Sequence, residues 1–235
     1  MRIETDATKP DQLVPGVAAT LAAAEIPPSK LGPARRARLS EAERELYMWI
    51  LRRFATDGRP NSEEVRAEAE RLGIGAERAL ETLAHEDLVH RGADGELSVA
   101  YPFSGRPTAH RVRFSGGHEV DAMCAIDALG VASMFSEAIE VESRDPISGE
   151  EIRAQVAPDG AAEWWPESAV VVAGAIRSED GDACRGCCPA LNFFVSPATA
   201  ERWLAGHPEI RGNTISMDEA AAAGRAVFGQ VLTEA

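Results

Sequence analysis

The sequence lacks any apolar run approaching the roughly 20 residues that cross a bilayer as a helix, so no spanning segment is expected. Positive charge is scarce: 24 Lys and Arg face 38 Asp and Glu, for a formal net charge of −14. A field of that sign repels phosphate backbones and anionic membrane surfaces, so neither nucleic acid nor a membrane is expected as a partner. A net positive leader is also missing before the apolar stretch 17–24, because Glu4, Asp6 and Asp11 outweigh Arg2 and Lys9. Residues 11–25 are therefore read as a small Ala-rich helix rather than an export signal, and a cytoplasmic location is expected. There is no internal repeat, and no low-complexity tract beyond Ala220–Ala223. What remains is ordinary for a globular chain: 235 residues, 45% apolar and 26% charged, enough for one large domain or two small ones.

Three segments are expected. Residues 1–40 form an N-terminal helix and a linker, the latter marked by Pro27-Pro28, Gly32-Pro33 and Arg35-Arg36. Residues 41–100 read as a winged-helix-like domain. Ser40 with Glu43 makes a capping box ahead of an apolar stripe of Leu46, Trp49, Ile50 and Phe54. A second helix starts at Ser62 and a third covers 76–88, followed by a hairpin around Gly92–Gly95. Glu77, Glu81, Glu86 and Asp87 outnumber Arg78 on the polar side of the third helix, which favours packing or shielding over DNA contact. From 101 to 235 strand patterns at 110–114, 139–143, 151–157, 169–176 and 191–195 alternate with helices at about 117–135, 197–205 and 217–232. The fold class is α+β: an N-terminal winged-helix-like helical domain, then a mixed α+β catalytic domain with mostly antiparallel sheet.

The informative residues are the cysteines, Cys124, Cys184, Cys187 and Cys188. Three clustered thiols in a reducing compartment suggest metal or thiolate chemistry rather than structural disulfides. Placing Cys124 and Asp127 on one helix puts a thiol and a carboxylate on the same face, beside Val120 and Val131. A buried cysteine beside a capping or exposed Asp is the plain alternative. Cys184 and Cys187 make a CxxC, but a structural zinc site wants a second ligand pair, and His85, His90, His110, His118 and His207 lack that spacing. A thioredoxin-type pair would need a βαβ setting that is absent.

Met123-Cys-Ala-Ile-Asp-Ala-Leu129 closely resembles the organomercurial (alkylmercury) lyase motif Trp-Cys-Ala-Leu-Asp-Thr-Leu. Cys188-Pro-Ala-Leu-Asn-Phe-Phe-Val-Ser196 resembles that family's second segment, a Cys, four residues, then Phe-Phe-Ala-Ser, and Thr199-Ala-Glu201 and Trp203 continue the match. The resemblance covers about residues 45–232. It departs at Met123, where the family has Trp, and at Asp145, which stands where familiar members carry a structural cysteine.

The resemblance implies protonolysis of carbon–mercury bonds to a hydrocarbon and Hg(II), a mercury-detoxifying activity. Cys124 and Cys188 would bind mercury and Asp127 would shuttle the proton, with Cys187 a further candidate ligand. Soft thiolates suit a soft metal, and a carboxyl in an apolar pocket favours its neutral, proton-donating form. No cofactor is expected. External small thiols would deliver the organomercurial as a thiol adduct, and a thiol or a mercuric reductase would take the Hg(II). The Trp164-Trp165-Pro166 segment reads as hydrophobic packing before it reads as a pocket wall. The alternatives are a mercury- or thiol-responsive DNA-binding regulator and a structural-zinc interaction module.

Overall fold

A computed structural model of the chain describes residues 32–176, 186–229 and 231–232. The Ala-rich helix expected at 11–25 lies outside them, as does Cys184.

Ser40 and Glu43 close the expected capping box: Ser40 Oγ accepts from the Glu43 amide at 3.3 Å, and the Glu43 carboxylate accepts from the Ser40 amide at 2.8 Å. The helix they open, α2 (Glu41–Thr56), buries Leu46, Tyr47, Ile50, Leu51 and Phe54. Asn61 caps α3 (Ser62–Arg71), and α4 (Ala76–His85) leads into the hairpin β1 (Val89–Arg91) and β2 (Leu97–Ala100). The stretch read as linker includes a short helix, α1 (Gly32–Arg36). Its arginines are anchored: Arg35 pairs with Asp87 at 2.5 Å and Arg36 donates to the Val227 carbonyl at 3.1 Å.

The hairpin does not end at a boundary. Through β3 (Phe103–Ser104) it joins β5 (Glu119–Ala122), β4 (His110–Phe114), β6 (Ile139–Arg144), β7 (Glu151–Val156) and β8 (Ala162–Trp165) in one eight-stranded sheet of order β1-β2-β3-β5-β4-β6-β7-β8. All of its pairings are antiparallel, in keeping with the α+β expectation. One apolar core runs from Leu39 through α2 and the sheet to Val231.

A second, three-stranded sheet is built around β9 (Val170–Ile176), flanked by β10 (Asn192–Phe194) and β11 (Ile210–Ser216). The continuous apolar run in β9 is explained by two faces of opposite duty. Val171 and Ala173 enter the main core, whereas Val172 packs into a smaller cluster with Phe194, Ala200 and Trp203 of α6 (Pro197–Gly206).

The expected helix at 117–135 is two elements. Gly117 turns the chain with φ +84°, a conformation that favours glycine. Val120 and Ala122 then alternate inward against Glu119 and Asp121, which is strand periodicity. Only α5 (Ala125–Phe135) is helical, and almost every residue in it is buried, so it runs through the core. It packs on α7 (Met217–Phe228), which a Ser216–Glu219 capping box opens. The crossing is so close that a Cβ on Gly224 would meet the Gly130 amide nitrogen at 2.7 Å and the Ile126 carbonyl at 2.8 Å. Alanine is the better helix former by about 1 kcal/mol, but overpacking costs about 1–3 kcal/mol. Gly224→Ala is therefore expected to lower the urea midpoint, and a raised midpoint would show that the two helices can separate freely.

Candidate functional site

Cys124 is the last residue before α5 and caps it: its Sγ accepts from the Asp127 amide at 3.4 Å. The thiol therefore sits at the positive end of a buried helix. Asp127 is on the first turn, three residues on, and its side chain is 6% exposed. The sequence reading placed both residues within a helix. The structure keeps them neighbours, but by capping geometry rather than a shared helical face.

Cys188 arrives from the other sheet. It opens a 3₁₀ turn, Cys188–Ala190, leading into β10. Asn192 Nδ2 donates to the Pro189 carbonyl at 2.8 Å and braces that turn. The Leu191 carbonyl accepts from the Ala125 amide at 3.0 Å, which ties the turn to the start of α5. The ligand atoms of Cys124, Asp127 and Cys188, from segments 64 positions apart, consequently lie within 4.8 Å of one another, and all three residues are buried. Among the described residues this is the one such cluster of three. Cys188 Sγ stands 3.8 Å from Asp127 Oδ2 and 3.8 Å from the Tyr101 hydroxyl.

Burial controls the proton affinities. It raises the Asp127 carboxyl to about 7, against hydrogen bonds from Cys124 and Cys188 that favour the charged form. It pushes the Cys124 thiol well above its ordinary range, with the Cys188 hydrogen bond and the Asp127 charge adding to it. Cys187 is half-buried at the start of the turn, and its thiol is pushed up to about 12, chiefly by burial and then by Cys188.

Other residues singled out from the sequence have different places. Met123 is half-buried against the main core. Trp165 is 68% exposed on β8, at the sheet edge, and Trp164 packs half-buried, so the packing reading fits Trp164 alone. Asp145 is 2% exposed, and its carboxylate accepts from the amides of Ile147 at 2.7 Å, Ser148 at 3.0 Å and Val195 at 2.9 Å. Although burial opposes ionisation, those bonds and one from Thr199 hold its pKa below the usual carboxylate range. A charged, fully engaged side chain thus knits the β6–β7 turn to the end of β10.

Neither tyrosine carries a motif that marks it in the sequence. The chain has only two, and both are here: Tyr47 donates its hydroxyl to the Tyr101 carbonyl at 2.5 Å. That scarcity of tyrosine was the available signal.

Two buried thiols and a buried carboxyl so close together could hold a metal ion, and sulfur ligands suit a soft one. Comparison with known proteins gives the family. The family model described as MerB alkylmercury lyase matches residues 103–229, more than half of the chain. An alkylmercury lyase of Staphylococcus epidermidis is 27% identical over 165 residues, covering 70% of this chain and 73% of that protein. One from Bacillus cereus is 33% identical over 120 residues, covering 51% and 53%. The crystal structure of the mercury-bound form of MerB2 superposes with a TM-score of 0.70 at 22% identity, over 87% of this chain and 98% of that one, a likeness of fold. The chain belongs to the alkylmercury lyase family.

Because the folded Asp127 value lies above the ordinary one, the carboxyl stabilises the fold in its neutral form, and that stability is lost as pH rises from about 4 through about 7. Asp127→Asn stays neutral throughout. Its stability relative to the parent is expected to grow across that window, by up to roughly 4 kcal/mol, and then level off. Denaturant titrations at pH 4.5 and pH 8 measure the difference, and an unchanged difference would contradict a proton-holding Asp127.

Proposed function

We propose that the protein is an organomercurial lyase, with Cys124 and Cys188 as the mercury-binding thiols and Asp127 as the proton shuttle. The supporting observation is the meeting of those three buried groups within 4.8 Å of one another. Carbon leaves mercury only as it is protonated, so the reaction needs electron density on the metal and a proton at carbon. Two thiolates supply the first and Asp127 the second.

The steps balance without an oxidant or reductant. The substrate is an organomercurial already carrying a small thiolate. One cysteine thiol exchanges onto mercury and releases the small thiol with its proton. The second thiol gives its proton to the Asp127 carboxylate and becomes a thiolate, which raises the coordination of mercury and weakens the carbon bond. Asp127 then passes that proton to carbon: the hydrocarbon departs, Hg(II) stays on two sulfurs, and the carboxylate is regenerated. A carboxyl with pKa about 7 is suited to both roles near neutral pH. Two external thiols displace Hg(II) and restore the protonated cysteines, and a mercuric reductase is a further acceptor. The reducing thiol pool this requires fits a cytoplasmic enzyme. Residues 101–235 carry the chemistry, and the winged-helix-like portion, 41–100, shields it, with residues 1–40 as its N-terminal extension.

No helix of the described residues is long and apolar enough to cross a membrane. The acidic side chains near the end of α4 are engaged within the protein, Glu86 with Arg38 at 2.5 Å and Asp87 with His90 at 2.6 Å.

Anaerobic incubation with methylmercury and excess thiol tests the proposal. Methane release is expected from the parent and from Cys187→Ala. It is expected to fall at least about 100-fold in Cys124→Ala, Cys188→Ala and Asp127→Ala, the usual scale for losing a nucleophile or a proton carrier. An active Cys188→Ala beside an inactive Cys187→Ala would assign the second thiol to the neighbouring residue.

A further inference from the structure

The hydroxyl of Tyr101 is 3.8 Å from Cys188 Sγ, and no part of the proton transfer above uses it. Tyr101 is 7% exposed, and a buried phenol is normally found against a hydrogen-bond partner. The residue is fixed from several directions. Its amide donates to the Leu88 carbonyl at 3.1 Å, and its carbonyl accepts from Tyr47. Its ring meets His90 edge to face, with centroids 6.2 Å apart at 88°. His90 is held in turn by Asp87 at 2.6 Å, and Asp87 by Arg35 at 2.5 Å. Through Asp87 and His90, α1 therefore braces the tyrosine whose oxygen lies 3.8 Å from the Cys188 sulfur.

We infer that Tyr101 is a further catalytic residue of the lyase site, its hydroxyl hydrogen-bonding the Cys188 sulfur and stabilising it as a thiolate. The inference rests on the lyase reading for its place in turnover, while the contact itself does not. With the thiol protonated, Cys188 S–H has two acceptors within reach, the Tyr101 oxygen and the Asp127 carboxylate. When Asp127, 3.8 Å from the same sulfur, takes that proton, the phenol turns its own O–H toward the sulfur, and no proton leaves the tyrosine. A buried thiolate without such a donor carries the cost of an unpaired charge. Cys124 has a counterpart in the Asp127 amide, 3.4 Å from its sulfur. Each sulfur thus has its own donor, and the carboxyl can move protons while both thiolates stay solvated by the protein.

Tyr101→Phe removes the hydroxyl and keeps the ring. A hydrogen bond to a charged group justifies expecting single-turnover hydrocarbon release to slow about 10-fold. Saturating Hg(II) stoichiometry and the melting temperature should stay near the parent's. Alkylation of Cys188 by iodoacetamide at one fixed pH, in protein lacking the other three thiols, should slow by a similar factor. Parental alkylation and cleavage rates in a folded Tyr101→Phe would overturn the inference. If that variant melts too low to assay, fluorotyrosine at position 101 preserves the shape and makes a stronger donor. Faster alkylation is then expected, and an unchanged rate overturns the inference. The alkylation needs no organomercurial, so it separates this inference from the lyase reading, which fails instead if the parent itself releases no hydrocarbon.

Discussion

Every feature of the site follows from keeping two sulfurs and a carboxyl together out of water. Isolated from solvent, a carboxylate is costly, and the protein responds by letting Asp127 hold its proton up to about pH 7. The same burial would leave the thiols inert. The Cys124 sulfur meets an amide of the helix it caps, and the Cys188 sulfur lies 3.8 Å from both the Asp127 carboxyl, which can take its proton, and the Tyr101 hydroxyl. Burial outweighs these local contacts, and a carboxyl raised to about 7 can act near neutral pH first as acceptor and then as donor.

The fold meets this constraint by bringing two segments to one point. α5 is apolar around almost its whole circumference, so its start, with Cys124 and Asp127, can only lie in the interior. The Gly130–Gly224 approach lets α7 close over it at backbone distance. The second sheet delivers Cys188, and the Ala125–Leu191 hydrogen bond joins the two deliveries. Asp145 secures the far end of that segment by binding the Val195 amide. The two sheets are accordingly two walls of one site, with the helical segment and its hairpin continuing the first wall.

Much of this was legible in the sequence where a local signal existed. The capping boxes at Ser40 and Ser216 are chemical signatures, and both form. The apolar run of β9 and the alternation of β4 and β6 set those strands nearly to the residue. Asp127, Cys124 and Cys188 were singled out because their motifs resemble a known family, and the fold brings the three together. Periodicity misread 117–124, because a four-residue strand against an apolar helix gives too few repeats to separate period 2 from period 3.6. The strands β3, β8 and β11 escaped because the first two are short and the third is not uniformly apolar; Gly212 in β11 is selected by a backbone approach of 2.4 Å that a Cβ would make to the Ala173 carbonyl. Tyr101 and Arg35 were invisible because their roles are tertiary: one depends on a partner 87 positions away, the other on one 52 away.

In the proposed reaction the sulfurs of Cys124 and Cys188 act on one mercury atom. X-ray absorption at the mercury edge, on protein with Cys184 and Cys187 replaced by Ser and loaded with one equivalent of Hg(II), addresses it directly. Two sulfur neighbours around mercury are expected, falling to one when Cys188 is also replaced by Ala. One sulfur with only light-atom neighbours before that replacement would contradict it.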